Sequence, residues 1–157
     1  MGLMTGSGPL GKHPAGSFNF EYGYVQVEAR IAMGTGLWPA LWLAASNLQW
    51  PPEIDIMEHW DSASYYGTYQ HITDSFSEEN SHVGVPDISG WHTYSVSWEP
   101  GKITWYVDNE PVFSSTDSVP HQSMYFIANV AESDPVTSSA DCNGTMQISS
   151  VKIWQHS

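Results

Sequence analysis

The sequence predicts an all-β chain folded as a two-sheet antiparallel β-sandwich, and three observations lead there. Helix-favouring residues are scarce: the six leucines all precede position 49 and there are four Lys+Arg, against 8 Trp, 8 Tyr and 5 Phe. Val25, Val27, Ala29 and Ile31 alternate with Tyr24, Gln26, Glu28 and Arg30, a period of two that buries one face of a strand. Further apolar runs recur at short spacing with turn residues between them and no helical period. At 157 residues and 17.4 kDa the chain suits one domain over 1–157, large enough to bury roughly 70% of its unfolded surface.

In chain order, Gly2 to Gly16 reads as an irregular leader rich in Gly, Pro, Ser and Thr. The alternating strand from Phe18 to Ile31 follows, then a strand over Leu41 to Ala44. A loop with Asn47 ends in the corner Trp50-Pro51-Pro52, which stiffens the approach to a strand over Glu53 to Trp60. Tyr66 to Ile72, Thr93 to Trp98 and Ile103 to Val107 are the next strands. Glu99-Pro100-Gly101-Lys102 and Asp108-Asn109-Glu110 are turns that reverse the chain. Met124 to Val130 and Met146 to Trp154 complete the set, and no helix is expected.

The formal net charge is −13, from 4 basic and 17 acidic residues. Glu21, Glu28, Lys12 and Arg30 cancel within residues 1–50, so the excess belongs to the remainder. Such a surface repels phosphate backbones, which excludes nucleic acid and anionic membrane as expected partners. The lone Cys142 precludes an intramolecular disulfide and a multi-cysteine metal site. The longest apolar stretch, Leu37 to Ala45, is too short to span a membrane and contains Pro39, and no targeting signal is visible.

The strongest constellation is Glu53-Ile54-Asp55-Ile56-Met57-Glu58. Glu53 and Asp55 share a strand face because side chains alternate. Glu58 has the opposite parity, and one extra residue inserted as a β-bulge around Ile56 and Met57 returns it to the face of the other two. Three acids on a concave surface suit glycoside hydrolysis, which needs two carboxyl groups in different protonation states across the scissile bond. An outer pair about 5 Å apart implies a nucleophile and an acid/base with retention; a wider gap implies inversion. Acids at three fixed positions arise by composition about 0.2 times per such chain, so the spacing gains weight only from its context. That context is an apolar Ile, Ile and Met between the acids and Trp50 and Trp60 on either side.

These blocks resemble glycoside hydrolase family 16, the laminarinase, lichenase and agarase group. The resemblance runs through Tyr22-Gly23-Tyr24 to Ala29-Arg30-Ile31, Gly36-Leu37-Trp38-Pro39-Ala40-Leu41-Trp42-Leu43, Trp50 to Glu58, Trp91-His92-Thr93-Tyr94 to Trp98, Ile103 to Asp108, and Val151-Lys152-Ile153-Trp154, in the family's order. It implies a jelly roll of concanavalin-like form with a concave cleft. It further implies Glu53 as nucleophile, Asp55 as assisting acid and Glu58 as acid/base, an endo-acting retaining β-glycanase on β-1,3 or mixed β-1,3-1,4 glucan, and no required cofactor. His71 resembles a polar residue near the acid/base, and Asn129 resembles a cleft asparagine. The family's sandwich usually begins with further strands, so the chain resembles an N-terminally shortened domain. Ser149 and Ser150 stand where family members often carry an aspartate near a calcium site, which leaves a structural calcium unsupported and the metal ligands none.

Sugar rings stack on indoles, which makes Trp38, Trp50 and Trp60 candidate platforms, whereas Trp42 is assigned to the core and Trp91, Trp98, Trp105 and Trp154 to structural positions. Arg30 is carried as a candidate substrate contact, with a solvated face as its other reading. His59 next to Glu58 reads as a hydrogen-bonded packing residue. No Gly-x-Ser-x-Gly, phosphate-cradling Gly-rich loop or His-Glu-x-x-His occurs, which removes acyl transfer, nucleotide chemistry and zinc peptidase activity. A polysaccharide substrate implies an extracellular monomer; the rival reading is a non-catalytic carbohydrate-binding sandwich using the same aromatics.

Overall fold

The computed structural model describes residues 2–4, 18–31, 36–59, 65–71, 78–84, 89–132 and 144–156. Among these the secondary structure is strand throughout, in two antiparallel sheets. The strands are β1 (Gly2–Met4), β2 (Gly23–Arg30), β3 (Leu37–Ala45), β4 (Glu53–Glu58), β5 (Tyr65–His71), β6 (Glu78–Gly84), β7 (His92–Glu99), β8 (Lys102–Val107), β9 (Glu110–Ser115), β10 (Met124–Glu132) and β11 (Gln147–Gln155). One sheet has the order β1-β10-β3-β4-β5-β6, the other β11-β2-β7-β8-β9. The expected sandwich is therefore present, and β1, β6 and β9 add strands to those read from the sequence. Gly2 to Met4, read as part of an irregular leader, instead pairs with β10.

Alternation decides what each strand buries. Val25, Val27 and Ala29 of β2 and Tyr94, Val96 and Trp98 of β7 meet Leu41 and Leu43 of β3, Ile54, Ile56 and Met57 of β4 and Phe126 and Ala128 of β10 in one core. Ile103 and Trp105 of β8 complete its centre. The even residues of β3, Trp38, Ala40, Trp42 and Ala44, occupy the other face of their sheet. That face carries the acidic strand.

Turns hold the second sheet in register. Asp108 and Asn109 adopt φ of 52° and 70°, the left-handed pair that suits a two-residue hairpin between β8 and β9. The Asp108 carboxylate accepts the Thr93 N–H at 2.9 Å and lies 2.8 Å from Nδ1 of His92, which ties this turn to β7. Between β7 and β8, Pro100 and Gly101 make the loop, with Gly101 at φ +78°. The edge strand β9 contains Pro111, and Val112 beside it is an extra residue in the ladder with β8.

Gly23 opens β2 at φ +154°, and a Cβ there would run into the Trp154 carbonyl oxygen of β11. At Gly101 a Cβ would meet nothing within 4 Å. Gly101→Ala is thus expected to lose only the positive-φ cost of about 1 kcal/mol, and Gly23→Ala to lose more, on the order of 2–3 kcal/mol, in urea unfolding. Equal losses would show that the Trp154 carbonyl yields freely.

Candidate active site

The acidic strand β4 is irregular where the parity argument requires it. Against β3, Ala44 pairs with Glu53, Leu43 with Ile54, Trp42 with Asp55, Leu41 with Met57 and Ala40 with Glu58. Ile56 has no partner of its own and is the extra residue of a bulge. The same irregularity shows against β5, where Ile54 pairs with Gln70 but Glu58 with Gly67. Glu53, Asp55 and Glu58 consequently oppose Ala44, Trp42 and Ala40, all even positions of β3, and so share one face. Ile54, Ile56 and Met57 are left in the core.

The bulge works because each residue in it gains something. Ile56 and Met57 are adjacent and both apolar, and both are buried; in a regular strand one of them would face the acids. Asp55 and Glu58 are themselves 1% and 7% exposed, whereas Glu53 is less buried. Small residues lie beside the outer pair: Ala44 beside Glu53, and Ala40 and Gly67 on either side of Glu58. Small neighbours leave Glu58 without a bulky side chain on either side in its row and Glu53 without one on the β3 side, with Glu53 the more exposed of the pair.

Indole donors surround the acids. Trp38 Nε1 donates to Glu58 Oε1 at 2.8 Å, and Trp50 Nε1 donates to Glu53 Oε2 at 3.1 Å. Trp42 Nε1 donates to Asn129 Oδ1 at 2.7 Å. Asn129 of β10 pairs with Ala40, which pairs with Glu58, so Asn129 stands two strands from Glu58 in the same row. Trp38 and Trp50 are 38% and 53% exposed, which leaves ring surface available while the N–H is engaged. A hydrogen bond to an ionised carboxylate favours the charged form, and burial opposes it. Desolvation is the larger influence on Glu53 and raises its pKa from the ordinary value of 4.5, while the hydrogen bonds from Trp50 and Asp55 pull it back.

Of the residues predicted from the sequence, the structure brings Glu53, Asp55, Glu58, Trp38, Trp50 and Asn129 onto one face. His71 pairs with Glu53 through β5 and is described by its backbone alone; Trp60 lies outside the described residues. Two readings need correction. Arg30 is exposed at the end of β2, on the outward face of the other sheet with Tyr24, Gln26 and Glu28, because Val25, Val27 and Ala29 take the core side. The geometry does not bring it to the carboxylates. Trp42, assigned to the core on the default that an indole packs inside, is on the acidic face: Leu41 and Leu43 point inward, so the residue between them points outward. Its alternation with Leu41 and Leu43 was the available signal. Among the described residues no group of three or more His, Cys, Asp and Glu could hold a metal ion; Ser149 bonds Glu28.

Residues 8–150 match the profile of the family described as Glycosyl hydrolases family 16. The chain belongs to this family. An endo-1,3-1,4-beta-glycanase of Rhizobium meliloti is 37% identical to this family 16 chain over 119 residues, 73% of the chain and 26% of the relative. A non-specific endo-beta-1,3(4)-glucanase from family GH16 superposes with a TM-score of 0.79 at 27% identity, over 99% of this chain and 65% of that one. The catalytic domain of an endo-1,3-beta-glucanase (laminarinase) from Thermotoga petrophila gives a TM-score of 0.79 at 24% identity, over 97% and 67%. The family 16 chain thus spans about a quarter of the first of these relatives and about two thirds of the two structures.

The raised pKa of Glu53 has a stability consequence with a definite sign. A carboxyl whose folded pKa lies above its unfolded value stabilises the fold while both states are protonated, below pH 4.5, and that contribution is lost as pH rises through the folded value. Glu53→Gln removes the buried charge. Its melting temperature should therefore exceed the parent's at pH 7, with the advantage shrinking towards pH 4; scanning calorimetry at the two pH values checks this, and a constant difference would show that burial of the charge is not what matters.

Proposed function

We propose that this chain forms the catalytic part of an endo-acting β-glucanase that hydrolyses β-1,3 or mixed β-1,3-1,4 glucan, or a related polysaccharide, with retention of anomeric configuration. The observation that carries the reading is the bulged acidic strand, with three carboxyl groups on one face of a family 16 chain. The names of the similar proteins supply the substrate class: an endo-1,3-1,4-beta-glycanase and an endo-beta-1,3(4)-glucanase. A polymeric substrate supports a reaction outside the cell, and the proposal takes the chain as a monomer.

The outer carboxylates are four β3 positions apart, Ala44 to Ala40, so their Cα atoms are about 13–14 Å apart at the rise of an antiparallel strand. Retention requires the two carboxyl groups to come within roughly 5 Å of one another, so both glutamate side chains have to reach towards each other over Asp55. In the first step Glu53 attacks the anomeric carbon as that carbon's bond to the leaving oxygen breaks, and the Glu58 carboxyl gives its proton to that oxygen. A glycosyl ester on Glu53 results. In the second step Glu58, now a carboxylate, takes a proton from water as the water oxygen bonds to the anomeric carbon, and Glu53 departs as carboxylate. The hydrogen bond between Asp55 and Glu53 needs one proton between them, and while Asp55 holds that proton and donates it, the bond favours ionised Glu53.

Proton transfer and nucleophile both come from side chains, so the reaction calls on no organic cofactor and no metal. Trp38 and Trp50 hold their carboxylates by N–H while their rings offer faces to the sugar, with Trp60, His71 and Asn129 as further contacts.

Incubation with laminarin, lichenan and a bacterial exopolysaccharide, scored for both binding and new reducing ends, tests the reading. Glu53→Gln and Glu58→Gln should each lower turnover by at least about a thousandfold with binding retained. Proton NMR of the first product should show the β-anomer. Binding without new reducing ends in the parent would establish the non-catalytic carbohydrate-binding sandwich instead, and an α-anomer as first product would establish inversion.

A further inference from the structure

The bulge in β4 raises a question about its backbone. Inserting one residue disrupts the ladder on both sides: partners are lost between Asp55 and Met57 on the β3 side and between Ile54 and Glu58 on the β5 side. A main-chain carbonyl in such a stretch still needs a donor, because it is buried between two packed sheets. At Asp55 one such donor comes from across the core. Trp105, in β8 of the opposite sheet, donates its indole N–H to the Asp55 carbonyl oxygen at 2.7 Å.

Several features make this contact specific. Trp105 is 0% exposed and Asp55 1%, so water does not compete for either group. An indole has one donor and no acceptor, so the bond has one possible sense. Phe113 of β9 lies with its ring centroid 5.2 Å from that of Trp105, tilted by 34°, which limits where the indole can point. The bonded carbonyl belongs to the residue immediately before the extra Ile56, where the strand leaves regular geometry.

We propose that Trp105 is a positioning residue for the carboxylate array: from the opposite sheet, its N–H holds the Asp55 carbonyl in the bulged conformation that keeps Glu58 on the face of Glu53 and Asp55. This rests on the catalytic reading above for its kinetic consequence but not for its structural one. Without the indole the Asp55 carbonyl loses a buried hydrogen bond, and the hold that it places on Asp55 to Glu58 is lost with it. The outer carboxylates then lose their alignment across the scissile bond, while Trp50, bonded to Glu53 outside that stretch, keeps its place.

The structure supplies its own control. Trp98 is also 0% exposed, and its Nε1 also donates to a main-chain carbonyl, that of Pro120 at 3.1 Å, which is not part of β4. Trp105→Phe and Trp98→Phe therefore remove the same donor and much the same volume from the same core. Trp105→Phe should lower kcat on the order of ten- to a hundredfold with KM within about twofold, and Trp98→Phe should leave both within about twofold. A 3-benzothienylalanine at position 105, in which sulfur replaces the N–H at nearly constant shape, should reproduce the kcat loss and guards against a Phe variant that fails to fold. Amide hydrogen exchange across Asp55–Glu58 gives the readout that needs no turnover: it should accelerate in either 105 variant and not in Trp98→Phe. If kcat survives at position 105, or falls equally at 98, the positioning role is overturned. A parent protein inactive on every glucan would sink the catalytic reading alone, and unchanged exchange over Asp55–Glu58 would sink this one.

Discussion

One surplus residue in one strand governs the geometry of the acidic face. Ile56 has no counterpart on β3, and by occupying the core beside Met57 it turns Glu58 through the pleat to the side of Glu53 and Asp55. Its energetic support is ordinary burial, since Ile54, Ile56 and Met57 are each 2% exposed or less. Its cost is a broken ladder, which the Trp105 indole offsets from the other sheet. The arrangement of the acids is therefore a property of the whole sandwich: the core face of β4 and the core face of β8 jointly decide where the carboxyl groups point.

The same logic extends sideways across the sheet. Because β3 and β10 stay in register with β4, the row through Glu58 runs to Ala40 and Asn129, and the row through Asp55 runs to Trp42 and Ile127. Trp42 then joins the two by donating to Asn129. Bulky and polar groups alternate with alanines along this face, which gives a floor of uneven height from main-chain register alone.

Much of this was legible in the residues. The alternation in β2, the Pro-Gly and Asp-Asn reversals and the parity of Glu53, Asp55 and Glu58 are local signals, and local signals survive without coordinates. What escaped has identifiable causes. β6 begins Glu-Glu-Asn-Ser and has little apolar alternation, β9 begins Glu110-Pro111, and β1 is three residues inside a Gly-rich stretch; pairing partners, not propensity, make them strands. Trp42 was misplaced by the default that an indole packs inside, although alternation with Leu41 and Leu43 turns it outward. Arg30 shows a different limit: its polar face is evident from alternation, but whether that face belongs to the sheet with the acids depends on which strands pair, and pairing is non-local. The Trp105 contact is non-local in the same way, linking positions 50 residues apart.

Pro111 bears on how the molecule behaves in company. A sheet edge with an unbroken run of amides is a template on which a stray extended peptide can add itself, the first event in fibril growth. Proline offers no N–H to such a newcomer, and the surplus Val112 next to it throws off the spacing that an incoming chain would have to match. That one ring and its neighbour act as a stopper at the β9 rim, and the shared negative charge of the chains keeps would-be partners at a distance.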